Sequence, residues 1–163
     1  MSEIGNSETG NTAGRNNELT LLSMLKNPLA EVVTKARLDL AGDLPALTAK
    51  ILTDVETIHY ACWILMDHGK HDYVTFFSNF SGSFEKYIDD FASVMALAFG
   101  LEVIWGETVG WPGIEPVDHL KAAIRDVTVR ADLYYCAYPE ATVRDVLKGL
   151  KATPMVEQFL ALA

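Results

Sequence analysis

His59 is the side chain with the most chemistry open to it in this 163-residue chain. It lies in Thr57–Asp67 (TIHYACWILMD), a stretch apolar almost throughout. On an interior strand beside Trp63, a neutral imidazole could serve as general base, proton shuttle or haem-iron ligand. The structural alternative is a core histidine bonded to a carbonyl or a hydroxyl. Asn79, following Ser78, ends the next apolar run just ahead of a helix start. Backbone N–H groups attract anions there, and an amide beside them could orient an oxyanion. The plainer alternative has Asn79 satisfying the turn and Ser83 capping the helix.

Around these two the sequence offers walls and handles. Trp63 and Phe77 would form apolar walls, and Tyr134, with Tyr135 and Tyr138, would supply hydroxyls to an apolar sheet. Trp105 and Trp111 flank a glycine- and proline-punctuated loop, 106–116, of the kind that lines or lids a pocket. The loop Asp67-His68-Gly69-Lys70-His71-Asp72 has metal-binding residue types, but its order is ordinary turn chemistry, and no metal site is expected from it. Asp89 and Asp90 are adjacent on a helix and so face different directions. Phosphate-binding loops, nucleophile elbows, dinucleotide-binding glycines, H-E-x-x-H and C-x-x-C are all absent from the sequence.

The elements that must position these groups can be read from periodicity. Residues 1–17 are Ser-, Gly-, Asn- and Thr-rich and are expected to be a disordered tail, leaving 18–163 as one domain. An apolar strand is expected over 19–25. Asn27 and Pro28 then cap and start a helix that Gly42 stops, and a short helix follows over 45–53. Strands 58–65 and 73–80 come next. Strict alternation places His59, Ala61, Trp63 and Leu65 on one face of the first, and both its faces read as covered. Ser83 caps a helix whose stripe is Phe84, Ile88, Phe91, Met95 and Ala98, with Gly100 as its end. A short strand at 101–105, a helix at 116–126 and a last strand at 131–138 follow. Thr142 and Asp145 make a capping box for a helix to about Leu150, and Thr153-Pro154 starts another. The order β-α-β-β-α-β is ferredoxin-like α+β, an antiparallel sheet with helices on one face, here with a helical insertion and a C-terminal helical extension.

Composition limits the partners. With a formal charge of −9 and 13 scattered basic residues, the chain is not expected to bind nucleic acid or an anionic membrane. No apolar run is long enough to span a bilayer, and the N-terminus has no secretory pattern. Cys62 and Cys136 read as reduced thiols, which points to the cytoplasm. Charged residues, at 21 %, fall below the usual quarter, so area is expected to be buried beyond one subunit.

His59-Tyr60-Ala61-Cys62-Trp63, then Phe77-Ser78-Asn79-Phe80-Ser81-Gly82-Ser83 and Tyr87-Ile88-Asp89-Asp90, resemble a group of ferredoxin-like bacterial proteins. In that group a histidine-aromatic-alanine-x-tryptophan strand precedes one ending Ser-Asn-Phe-Asp-Gly; Ser81 stands here in place of the aspartate. The group is similar in outline to dimeric α/β-barrel proteins, which include haem-dependent and cofactor-free enzymes. The resemblance implies a homodimer and an apolar small-molecule substrate held between sheet and helices. His59 and Asn79 would be catalytic, Trp63, Phe77, Tyr134, Trp105 and Trp111 substrate-binding, and haem a candidate cofactor. A non-catalytic protein dimerising through its sheet is the alternative.

Overall fold

A computed structural model describes residues 5–7, 10–98 and 101–161. The elements run β1 (Gly5–Ser7), β2 (Gly10–Ala13), β3 (Asn16–Met24), α1 (Pro28–Asp43), α2 (Pro45–Asp54), β4 (Ile58–Asp67), β5 (Asp72–Ser81), α3 (Phe84–Ala98), α4 (Leu101–Trp105), α5 (Val117–Asp126) and α6 (Val143–Leu160). The strands form one antiparallel sheet in the order β1-β2-β3-β5-β4. The α+β class and the antiparallel sheet are therefore as the sequence indicates.

Local signals place several elements. Asn27 accepts from the Ala30 N–H at 3.0 Å, and Pro28 follows it at the first position of α1. Lys86 N–H reaches Ser83 Oγ at 3.3 Å, the cap of α3. Thr142 and Asp145 exchange side-chain and backbone bonds at 3.1 and 3.3 Å at the start of α6. The β4–β5 hairpin closes through Gly69, whose φ of +79 suits a residue without a Cβ.

The core forms on one face of the sheet. Leu19 and Leu21 from β3, Phe76 and Phe80 from β5, and Ala61, Trp63 and Leu65 from β4 pack against Tyr87, Ile88 and Phe91 of α3 and against Leu120 and Ile124 of α5. Burial of this kind is the dominant favourable term in folding. Phe80 stacks on Tyr87 at 4.1 Å, and Trp63, Phe76 and Trp105 meet at 5.0 to 6.4 Å between ring centroids. The opposite face carries Glu18, Thr20, Phe77, Asn79, Tyr60, Cys62 and Ile64, by register.

Five expectations are corrected. Residues 131–138 form no strand; only Thr128 bridges to Leu21. The reason lies at the other end of the chain. Gly5–Ser7 and Gly10–Ala13, expected within a disordered tail, form a hairpin, and β2 occupies the edge of β3 at Asn16–Glu18. The expected last strand thus has a single bridge left beside β3. Gly14, at φ +59, turns β2 into β3, and a Cβ there would stand 2.6 Å from the Pro139 carbonyl oxygen. Residues 101–105 are helical, burying Ile104 and Trp105. α6 runs unbroken through Pro154 rather than restarting there. β4 is an edge strand, not an interior one. Gly100, expected to end a helix, lies outside the described residues.

Candidate functional site on the open sheet face

His59 does not share a face with Trp63. The ladder pairs Ile58 with Phe80 but Tyr60 with Asn79, so His59 is the extra residue of a β-bulge. A bulge adds one residue and re-aims the side chains beside it. His59 consequently meets Asn16 and Ser81 on the open face, while Ala61, Trp63 and Leu65 keep the alternation that packs them into the core.

Asn16 organises the site. It is 2 % exposed, and its Nδ2 donates to the carbonyls of Tyr138 and Ala141 at 3.0 Å each and of Pro139 at 3.3 Å. Three acceptors on one side settle which end of the amide is nitrogen. Oδ1 therefore faces His59 Nε2 at 2.8 Å and Ser81 Oγ at 3.0 Å. An amide oxygen can only accept, so Nε2 must carry a proton and Ser81 must donate to Asn16. The second contact of Nε2, with Ser81 Oγ at 2.7 Å, is then a donation to the serine, which also accepts from Val143 N–H at 3.3 Å. This arrangement excludes a serine nucleophile activated by His59: the histidine nitrogen nearest Ser81 is a donor, not a base. The basic lone pair is on Nδ1, which has no hydrogen-bond partner among the described residues.

A pocket of about 200 Å³ opens beside this network, lined by Asn16, His59, Asn79, Tyr134 to Tyr138, Ala141 and Val146. His59 remains open to solvent at the sheet edge, and the partial burial of its imidazole lowers its pKa from the ordinary 6.5, so the ring is neutral at neutral pH. Tyr134 is pushed up to about 12, first by burial, then by the Cys136 thiol beside it, with Glu18 and Tyr60 adding to the shift. It is a hydroxyl donor at any physiological pH. Glu18 takes a hydrogen bond from Thr20 on Oε1, and its buried Oε2 has no partner among the described residues.

The residues named from the sequence divide into two sets. His59, Asn79 and Tyr134 come together in the pocket. Phe77 is on the same sheet face, paired with Cys62 and Thr20, but does not line the pocket. Trp63, Trp105 and Trp111 are across the sheet, where Trp105 stacks 6.5 Å from Trp111. Trp111 donates to Glu102 at 2.7 Å, which pins the 106–116 loop to α4. Asn79 lies near the end of β5, ahead of α3 as expected, but its amide reaches only the neighbouring Ser78 carbonyl at 3.3 Å. Asn16 was placed in the tail by its polar neighbours. Its carbonyl partners are more than 120 residues away, and no local pattern marks them.

The described residues contain no group of three or more His, Cys, Asp or Glu placed to hold a metal. The pocket lies below the roughly 300 to 1,000 Å³ of ordinary ligand sites and cannot enclose a haem macrocycle. The residues present do not fit that cofactor. No protein-family model matches the chain, and searches of curated proteins and of solved structures also return no match. No described helix is long and apolar enough to cross a membrane.

Proposed function

We propose that the open-face pocket binds a small, largely apolar, uncharged molecule and that His59 acts on it as a general base through Nδ1, without a cofactor. One observation carries this reading: the three carbonyls that fix Asn16 also fix the proton on Nε2, so the free lone pair belongs to the nitrogen not bonded to Asn16 or Ser81. A base held neutral by burial, beside a tyrosine held protonated by burial, suits proton transfer next to a carbonyl. Nδ1 takes the proton from a substrate C–H or O–H and becomes imidazolium, with Nε2–H still held by Asn16. The Tyr134 hydroxyl donates a hydrogen bond to the oxygen on which charge develops, and the proton returns from Nδ1 to the product.

A ferredoxin-like kinship is supported by β3, β5 and β4 lying in that order, with β3 and β4 parallel to one another on either side of β5. The unformed fourth strand stands against it. A non-catalytic binding protein is the second reading, favoured by the exposed position of His59 at the sheet edge.

Nitrogen-15 NMR of the His59 ring tests the first step and should show the Nε2–H form; an Nδ1–H form would overturn the proposal. A set of small neutral ketones and phenols, titrated in heavy water, tests the second. Exchange of acidic C–H groups by the wild type and not by His59→Ala supports catalysis. Binding at His59 without exchange supports the binding protein instead.

A further inference from the structure

α6 is built as a contact element but has almost no contact within its own chain. Its first turn is tied to the body by Val143 N–H to Ser81 Oγ, by Arg144 to Glu56 and by Asp145 to Arg15. Beyond that turn every described side chain is exposed, including Leu150 at 64 % and Met155 at 73 %. Most helical stability in proteins comes from packing an apolar face, which α6 lacks within its own chain, and Gly149 and Pro154 weaken it further. Its charge also differs in sign from the rest. Arg144, Lys148 and Lys151 against Asp145 and Glu157 leave α6 at +1, so the remainder of the chain carries −10 of the total −9.

The open sheet face is the matching surface. Edge strand β4 exposes Tyr60 at 52 % and Ile64 at 46 %, with Phe77 half-buried beside them. The strand ends at Asp67, directly paired with Asp72, and the acids outnumber Lys70 in the loop between. Covering a sheet face with a helix is the ordinary two-layer solution. We infer that in solution α6 of one copy lies across the open face of a second copy, reciprocally. Leu150 would then pack on Tyr60 and Ile64, with Lys148 and Lys151 towards Asp67 and Asp72. An acidic body and a basic apolar helix on one chain favour that chain as the partner, and a two-fold axis satisfies both contacts at once. The inference is independent of any chemistry at His59.

Sedimentation equilibrium of the full chain tests it and should give twice the 18.0 kDa monomer. Leu150→Asp and Ile64→Asp, both at exposed positions, should each weaken the dimer at least about tenfold, as loss of a central anchor does. Far-ultraviolet dichroism should show both variants folded. Mixing the two should restore a dimer, because one helix–sheet contact of the pair is then intact. A monomeric wild type overturns the inference. So does a dimer broken by Leu150→Asp alone, which means helix pairing, or by Ile64→Asp alone, which means sheet pairing. Failure of the mixture to dimerise also overturns it.

Discussion

Removing the Asn16 side chain should damage this protein more than any other single polar truncation on the open face. Asn16→Ala deletes two N–H donors that serve three carbonyls and an oxygen that accepts from His59 and Ser81. The three carbonyls share two N–H donors, so counting one bond for each N–H and each lone pair gives four bonds, and at about 1 kcal/mol each they sum to about 4 kcal/mol. Water entering through the pocket re-satisfies part of this, because His59 is exposed, which brings the expected loss to about 2 to 3 kcal/mol. That is a large part of the roughly 5 to 15 kcal/mol that holds a domain together. Urea denaturation followed by dichroism should show the midpoint falling by about 1 M, given slopes of about 1 to 3 kcal/mol per molar. Asn79→Ala is the control: it removes one 3.3 Å bond to an adjacent carbonyl and should cost under about 1 kcal/mol. The two variants also differ at His59, whose Nε2–H form should persist in Asn79→Ala and give way to mixed tautomers in Asn16→Ala. Equal losses in the two variants would refute the view that Asn16 organises the site.

Two titrations test the electrostatics of the pocket. Because burial lowers the His59 value in the folded state below the ordinary 6.5, the unfolded chain binds more protons just below that pH, so stability should rise with pH through this window and level off above it. His59→Leu should flatten that rise in denaturation midpoints taken between about pH 5 and 8, and an unchanged slope would remove His59 as its source. Near-ultraviolet titration should show tyrosines ionising late, Tyr134 at about 12 and the fully buried Tyr87 beyond the ordinary range. Raised values mean stabilisation present below the ordinary 10 and lost as pH climbs, and Tyr134→Phe should delete one late step.

Local chemistry was legible where it decided the outcome. Asn27-Pro28 and Ser83 name their helices because a cap and its helix are neighbours in sequence. The β4 and β5 runs are legible because one apolar set packs on α3. His59 and Tyr134 were identified from residue type alone, and the structure brings them to one pocket. The bulge at His59 was not legible, since it changes pairing without changing composition. The run ADLYYCAY has strong strand propensity, yet the edge it needed is held by a polar hairpin whose pairing rests on backbone bonds. Glycine, asparagine and threonine suggest disorder only while no sheet edge stands beside them. Trp105 and Trp111 line an apolar pocket with Gly110 and Pro112 of their loop, as residue type suggested, and Trp63 lines another, but both pockets lie across the sheet from His59, which residue type alone does not reveal.

The span of the Asn16 bonds bears on when the site exists at all. β4 and β5 meet through a turn of a few residues, whereas Asn16 reaches carbonyls 122 to 125 positions further along the chain. During synthesis the sheet and its α3 cover can assemble before Tyr138 has left the ribosome, and the pocket cannot. Once made, it is closed on one side by residues 131–141, which pair with no described strand and are tied to the sheet by bonds from Asn11, Arg15 and Asn16, so those few bonds decide whether the segment lifts while the core stays folded. Residues 131–141 are thus the last part of the pocket to assemble, and Asn16 is the side chain on which their hold depends most.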